Sequence, residues 1–524
     1  MQSPDNAAMS AARRMSFGAQ LARNARKFPE RTAFVHGTRS LTYAELDVRV
    51  SRLANALAER GIGAGDRIAI VMYNRIELAE CFLAAARLGA IGVPVNFRLV
   101  ADEVAYILAD CGARALVCDA TTAPTCVAAA AELDGPATVL VTDDPAAYGP
   151  DAEAYETALA GAPPEDPGID VPETDPAYIM YTSGTTGRPK GAVLTHLNLV
   201  MGTLLNIAVV GGIPSEPDNS LLGVPMFHIA GLNLSLRGLV DGGRVVIDSS
   251  PVFDAAAFVD QLERERITSC FLVPSQWQAI CALPGLKDRD LVLRAPSWGA
   301  SVAPPSVLEA LQDSFPDAPA YTAFGQTEMS PVTTLLRAED AVRKFGSVGT
   351  PLPGIEVRIV DEEMRDVPRG EVGEIVYRGP TAMLGYWNKP EATEEAFKGG
   401  WFHSGDLCRM DDDGFIYVVD RKKDMIISGG ENIYCAEVEA VLDTHPDIAQ
   451  AVVIGVDHPK WVQTPRAIVV LAEGAKLTEQ DVVEHCRGRL ASYKKPTSVV
   501  FVEALPRNAS GKVQKFRLRE QYGA

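Results

Sequence analysis

The segment Tyr181-Thr-Ser-Gly-Thr-Thr-Gly-Arg-Pro-Lys-Gly191 constrains this chain more than any other. Its flanks, Ala177-Tyr-Ile-Met-Tyr181 and Ala192-Val-Leu194, each read as a short buried strand, so the loop joins two strands. Three glycines, several hydroxyls and one lysine fall within its eleven residues. Glycines let a backbone approach a ligand closely, and exposed N–H groups grip anionic oxygens. Hydroxyls donate to the same oxygens, and Lys190 adds a compact positive charge. A polyphosphate is the matching ligand; the plain alternative is a surface turn. The usual nucleoside-triphosphatase loop needs Gly, four residues, then Gly-Lys-Ser/Thr opening into a helix. Counted from Gly184, this loop closes on Pro189-Lys190-Gly191 instead.

Around the loop, strand and helix patterns alternate, which predicts an α/β layered fold. A helix is expected near Phe17–Lys27 after a frayed tail over 1–14. Thr42-Tyr-Ala-Glu45 is a capping-box pattern, followed by Leu46, Val50, Leu53, Leu57 and Ala58 at helical spacing and a stop at Gly61. Asp66–Met72 reads as a strand and Ile76–Leu88 as a helix. The stretch Asp143–Asp175, rich in Pro, Ala, Asp and Glu, reads as a solvated connection. From Gly346 to Tyr417 short β-rich runs such as Ile355–Val360 and Glu374–Tyr377 predict a small β-subdomain. The charge cluster Asp420-Arg-Lys-Lys-Asp424 then marks a boundary. The expected division is a tail over 1–14, a large domain over 15–420 with its β-subdomain over about 346–420, a hinge over 421–424 and a small domain over 425–524.

At 524 residues and 47% apolar, the chain can bury a large core. A formal charge of −19 argues against a nucleic-acid partner. The nine cysteines are odd in number and form no CxxC pair, which fits free thiols in a reducing compartment. Arg13 and Arg14 have no apolar run behind them, so no twin-arginine export signal is expected. The apolar runs Cys81–Asn96 and Leu204–Ile213 are too short or interrupted to span a membrane. A soluble cytoplasmic protein is expected. Peripheral membrane contact, and the choice between monomer and homodimer, stay open.

Further motifs follow in order: Pro225-Met-Phe-His-Ile-Ala-Gly231, Ser297-Trp-Gly-Ala300, Ala323-Phe-Gly-Gln-Thr-Glu328, Gly400-Trp-Phe-His-Ser-Gly-Asp406, Asp420-Arg421, Gly429-Gly-Glu-Asn432 and Pro506-Arg-Asn-Ala-Ser-Gly-Lys512. With Ser183–Gly191, which matches S-G-T-T-G-x-P-K-G residue for residue, they give the chain a resemblance to the adenylate-forming superfamily. The branch it resembles is the acyl-CoA synthetases. Met425-Ile-Ile-Ser-Gly-Gly-Glu-Asn432 and the ending Leu518-Arg-Glu-Gln-Tyr-Gly-Ala524 are closest in wording to actinobacterial fatty-acyl-CoA ligases. The resemblance implies a large N-terminal α/β domain of layered sheets and helices with a small β-barrel-like subdomain, plus a small mobile α+β C-terminal domain.

It also implies roles. ATP would be held by Thr182, Ser183, Gly184, Thr185, Thr186, Gly187 and Lys190 on the loop, by Phe324, Gln326 and Thr327, by Asp406 and Arg421 at the ribose, and by Lys512. Phe324 would stack on adenine, Thr327 would meet the α-phosphate and Glu328 would help hold Mg²⁺, since a hard cation takes carboxylate oxygen. Lys512, Thr182, Glu328 and His228 form the implied catalytic set, with Lys512 bridging the substrate carboxylate and the α-phosphate. His228, Trp298, Gly299, Ala300 and Ala323 would line the acyl pocket, Ser428, Gly429 and Gly430 the CoA tunnel, and Lys423 would be the hinge. Each residue has a plainer reading when taken alone: a polar turn for Phe324–Glu328, a tight turn for Gly405-Asp406, surface charges for Lys423 and Lys512, and a structural histidine for His228.

The implied reaction is two-step: a carboxylate attacks the α-phosphate of Mg·ATP to give acyl-AMP and pyrophosphate, and the CoA thiol then takes the acyl group. His228 stands where amino-acid-activating relatives carry Asp, which argues against an amino acid, and the likeness of Met425–Asn432 and Leu518–Ala524 to fatty-acyl-CoA ligases implies a medium- or long-chain fatty acid. Alternatives are an acyl-AMP ligase serving a carrier protein, a ligase for an aromatic or cyclic acid, and a non-catalytic nucleotide- or lipid-binding protein. The chain departs from the family pattern at several places. Phe324 replaces the usual Tyr. Trp298 and Ala323 replace small residues, so that Trp298 either narrows the acyl tunnel or points into the core. Trp461-Val-Gln463 replaces Trp-Gly-Glu.

Overall fold

The structure is a computed structural model that describes residues 12–131, 138–150, 152–182, 188–210, 218–248, 253–299, 303–428, 431–487, 489–507 and 512–523. The chain divides into two compact units, residues 1–356 with 377–402, and residues 357–376 with 403–524.

Two sheets organise the first unit. An eight-stranded sheet has the order Gly385–Tyr386, Lys190–Thr195, Pro176–Thr182, Ile91–Pro94, Arg67–Val71, Ala115–Cys118, Thr138–Val141, Glu153–Ala154. Its middle strands are parallel and, apart from Arg67 and Thr138 at their starts, apolar, as suits strands covered on both faces. Pro176–Thr182 and Lys190–Thr195 pair antiparallel, with Thr182 opposite Lys190. The strand-to-strand setting expected of the glycine-rich loop is therefore present, although residues 183–187 lie outside the described residues.

A nine-stranded sheet has the order Thr350–Pro351, Val332–Arg337, Tyr321–Gly325, Ala295–Trp298, Ser269–Leu272, Asn219–Leu222, Arg244–Ile247, Thr32–His36, Arg39–Thr42. Helix Tyr43–Glu59 starts at the expected capping box: Thr42 accepts from the Glu45 N–H and Glu45 reaches back to the Thr42 N–H. Helix Ile76–Leu88 is buried at every residue, so its sequence carries little amphipathic signal and its alanines allow close packing. Among the described residues no helix is long and apolar enough to cross a membrane.

The stretch 143–175 is not merely a solvated connection. It contains helix Tyr155–Gly161, whose Tyr155, Ala158 and Leu159 are buried. The Tyr155 phenol donates to Glu80 Oε2 at 2.7 Å, and Arg49 joins Glu80 to Glu156. The i, i+3, i+4 apolar spacing was present in the sequence, but proline and acidic residues around it masked so short a helix.

The second unit contains two sheets. One has the order Glu356–Val360, Gly373–Arg378, Phe402–Met410, Ile416–Arg421. The other is five-stranded, with Glu431–Ile433, Ile426–Ser428, Val462–Leu471 and Ile448–His458 in order and Ser498–Phe501 also on Val462–Leu471. Strand alternation gives this sheet two buried faces. Val453 and Ala467 pack with Val438, Leu442 and Val482 on one side, and Val452 and Ile468 with Leu505 and Leu518 on the other. The charge cluster 420–424 lies inside this unit.

Tyr155→Phe removes the phenol from a buried carboxylate while keeping the ring. We expect it to lower the unfolding free energy by about 1–3 kcal/mol, read from denaturant unfolding of the full chain. An unchanged midpoint would show that Glu80 does not need this donor.

Candidate functional site

In the first unit, Glu328 is the meeting point of three distant segments. It follows strand Tyr321–Gly325 in a short 3-10 turn, Thr327–Met329, and is only 8% exposed. Its Oε1 accepts from the Tyr386 hydroxyl at 3.0 Å and from Thr182 Oγ1 at 3.4 Å. Burial and the Glu328 carboxylate both push the Tyr386 phenol well above its usual pKa, so it stays a donor. The Lys190 ammonium lies 5.2 Å from the centre of the Tyr386 ring. The fold thus brings together Thr182, Lys190 and Glu328, and adds Tyr386, which the sequence reading missed. Gly385-Tyr386-Trp387 was its only local signal, an aromatic pair behind a glycine.

The ends of the glycine-rich loop are held from below. Tyr181 donates to Asp110 at 2.7 Å, Lys389 pairs with Asp110 at 2.8 Å, and Tyr106 donates to the Pro189 carbonyl. Phe324, Gln326 and Thr327 are half-buried beside Glu328 in sequence, and Thr333 donates to the Phe324 carbonyl. Among the described residues no cluster of three or more His, Cys, Asp or Glu side chains is placed to hold a metal. A single oriented carboxylate, Glu328, fits an Mg²⁺ ion carried mainly by phosphate oxygens and water.

The residues expected at the acyl pocket separate onto two faces of the nine-stranded sheet. Trp298 pairs in register with Leu272 and Thr322, whereas Ser297 pairs with Phe271 and Tyr321. Trp298 is 3% exposed and lines a cavity of about 390 Å³ with Leu308, Leu311 and Ala318. Gly299 belongs to the other face: a Cβ there would come within 2.7 Å of Phe271 Cζ. Ala323 is half-buried, its carbonyl 3.8 Å from the same point, and Ala300 lies outside the described residues. Phe271, not Trp298, is therefore the aromatic wall beside Gly299, and nothing local in Ser269-Cys-Phe-Leu272 announced it.

His228 is exposed and caps helix Ile229–Asp241, its Nδ1 accepting from the Ala230 N–H at 3.3 Å. The preceding turn is fixed to the other sheet: the Met226 N–H donates to Asn74 Oδ1 and Asn74 donates to the Val224 carbonyl. A Cβ at Gly231 would lie 2.1 Å from the Pro225 carbonyl oxygen, so helix and turn touch backbone to backbone.

In the second unit, Asp406 and Arg421 face each other across strands Phe402–Met410 and Ile416–Arg421, with Arg421 Nε 2.7 Å from Asp406 Oδ1. Asp406 is buried and Arg421 is exposed. Glu374 braces the turn, accepting from the Gly405 N–H and pairing with His403 and Lys422. Burial pulls upward on the Glu374 carboxyl, but the bonds from His403 and Lys422 hold it below its usual pKa. Lys423 is exposed, Ser428 ends strand Ile426–Ser428, and Gly429 and Gly430 lie outside the described residues. Lys512 is exposed beside the bridge Arg507–Val513.

Residues 21–387 match the model of the AMP-binding enzyme family, and residues 437–512 that of the AMP-binding enzyme C-terminal domain. The chain belongs to this family. It is 40% identical over 513 residues to a feruloyl-CoA synthase of Amycolatopsis, covering 98% of this chain and 100% of that one. It is 38% identical over 491 residues to a long-chain-fatty-acid–CoA ligase of Mycobacterium tuberculosis, covering 92% and 93%. The o-succinylbenzoate CoA synthetase of Bacillus subtilis in complex with its acyl-adenylate intermediate superposes with a TM-score of 0.82 at 31% identity, covering 95% of this chain and 97% of that one. The same enzyme with ATP and magnesium ion gives a TM-score of 0.82 at 30% identity, covering 95% and 99%. The chain is thus an ATP-dependent, AMP-forming acid–thiol ligase whose reaction uses Mg²⁺ and CoA.

One family departure has a visible backbone consequence. Val462, where the family pattern has Gly, keeps φ at +71° and is 69% exposed. A β-branched residue in the left-handed region is strained by roughly 1–3 kcal/mol. Val462→Gly relieves that strain against some loss of chain entropy. A net gain of roughly 0.5–1 kcal/mol is expected as a higher thermal midpoint of the full chain. A lower midpoint would mean that Val462 makes compensating contacts.

Proposed function

We propose that this ligase activates a compact acid of aromatic or cyclic width, and that the residues named above divide the two half-reactions among them. The observation that carries the substrate reading is the half-buried Phe271 ring, whose Cζ and Cε2 atoms lie over Gly299 and set an aromatic group on this face of the sheet. The 40% identity to a feruloyl-CoA synthase supports it. The medium- or long-chain fatty acid is the second reading, favoured by the 38% identical fatty-acid ligase.

In the first half-reaction a substrate carboxylate oxygen attacks the α-phosphorus of ATP, and the bond to the β-phosphate breaks. Thr182, Lys190 and the loop between them hold the leaving β,γ-phosphates. Thr182 and Tyr386 fix the Glu328 carboxylate to receive the metal. Mg²⁺, when bound, neutralises phosphate charge. Phe324 takes the adenine face, Thr327 the α-phosphate, and Asp406 with Arg421 the ribose hydroxyls. Lys512 offsets charge on the attacking carboxylate and the α-phosphate. His228 stands at the reacting carboxylate, its Nδ1 accepting from the Ala230 N–H. In the second half-reaction the CoA sulfur attacks the acyl carbon, AMP departs and the thiol proton is lost. Ser428, with Gly429 and Gly430, serves the pantetheine, and Lys423 is the pivot between the two steps. The setting proposed for this activity is the cytoplasm.

Lys512→Ala is expected to slow adenylate formation by on the order of 10²–10³ while leaving thioester formation from supplied acyl-AMP within a few fold. Equal loss in both half-reactions would remove Lys512 from the first. Glu328→Gln should raise the Mg²⁺ concentration needed for half-maximal rate by about tenfold or more, as seen in a metal titration of pyrophosphate release. A panel of aryl, cyclic and aliphatic acids, assayed for pyrophosphate with and without CoA, tests the substrate. An optimum on straight chains would replace the first reading with the second.

A further inference from the structure

The two groups that aim Glu328, the Thr182 hydroxyl and the Tyr386 phenol, both bond to Oε1. Among the described residues no group donates to Oε2, so that oxygen is the one presented to a metal. At 3.4 Å the Thr182 bond is long, and it can steady the carboxylate only if the strand end that carries it is itself fixed. A second carboxylate withdrawn from water, Asp110, fixes both supports, and it belongs to none of the motif segments.

Asp110 is the penultimate residue of helix Ala101–Cys111, and its side chain is 9% exposed. Its Oδ2 accepts from the Tyr181 phenol at 2.7 Å, and its Oδ1 pairs with the Lys389 ammonium at 2.8 Å. Tyr181 immediately precedes Thr182 on strand Pro176–Thr182. Lys389 closes a turn with Tyr386, donating its own N–H to the Tyr386 carbonyl at 3.2 Å. One carboxylate therefore grips the chain next to Thr182 and again a single turn past Tyr386. Burial lifts the Tyr181 phenol well above its usual pKa, and the bond to Asp110 raises Lys389, so both remain donors.

The same helix also reaches the other strand of the pair. Tyr106, one turn before Asp110, donates to the Pro189 carbonyl at 3.0 Å, and the next residue, Lys190, lies opposite Thr182. On the far side the Trp387 N–H donates to the Gly191 carbonyl at 2.7 Å. Among the described residues Asp110 bonds to none of Thr182, Tyr386 and Glu328, so its influence on Glu328 passes through Tyr181 and Lys389. A pair serving only stability would join any two elements. This one joins the two supports of a single oxygen.

We infer that Asp110 is a positioning residue of the first half-reaction: it holds Thr182 and Tyr386 on Glu328 Oε1 and so keeps Oε2 turned to the metal of Mg·ATP. The inference rests on the metal role proposed for Glu328. Its effect is confined to ligands that bring the metal and the β,γ-phosphates, and AMP brings neither.

Calorimetric binding of Mg·ATP and of AMP to the full-length protein, with no acid present, tests it. Asp110→Asn keeps the shape and removes the charge. It should weaken Mg·ATP by about tenfold and AMP by less than about threefold. Lys389→Met, at a partly exposed site, breaks only the Tyr386 arm and should weaken Mg·ATP by about threefold with AMP unchanged. Because Asp110 acts through Glu328, adding Asp110→Asn to Glu328→Gln should cost less than about a further twofold. Equal losses for the two ligands would reduce Asp110 to a structural role and overturn the inference, as would a full tenfold loss on top of Glu328→Gln. A loss in Glu328→Gln with none in Asp110→Asn or Lys389→Met would strike the inference alone. Unchanged Mg·ATP binding in Glu328→Gln would strike the metal role and the inference together.

Discussion

The first unit is arranged around one buried carboxylate. Glu328 is reached by a hydroxyl 146 residues earlier in the chain and by a phenol 58 residues later. A carboxylate withdrawn from water must be hydrogen-bonded, so its burial dictates where the two partner strands lie. Thr182 ends the strand before the phosphate loop, and Tyr386 sits on the short strand beside Lys190–Thr195. Placing Glu328 therefore also places the loop ends and Lys190. In the second unit the Asp406–Arg421 pair has a comparable role, since strand register and ion pair coincide there.

Much of this was legible in the sequence, because it was written locally. The capping box at Thr42, the helices Phe17–Lys27 and Ile76–Leu88, and the strand pair flanking the glycine-rich loop all follow from residues within a few positions of one another. The motif segments were legible for the same reason. What escaped depends on register between distant strands. Phe271 becomes a wall only because it pairs with Ser297 and stands over Gly299. Trp298 was read with two possible destinations, and strand alternation turns it to the face opposite Gly299. Tyr386 matters through Glu328, a contact that no window of neighbouring residues contains.

Composition misled in one place. A proline- and acid-rich stretch hid helix Tyr155–Gly161, whose phenol closes over Glu80. Average polarity says little when a single buried tyrosine anchors the segment.

The helix over the acyl face has little freedom to move. At its start Gly231 rests against the Pro225 carbonyl, and near its end Tyr43 clasps the carbonyls of Gly238 and Gly243 at 2.6 and 2.7 Å. Both restraints act through main chain, so the span between helix and sheet is a property of the scaffold and not of the residues lining it. New acid preferences in such an enzyme must then arise by exchanging what projects from the strands, within a gap of fixed height. Breeding a wider-mouthed variant would call for rebuilding the turn at Pro225 before touching the pocket itself.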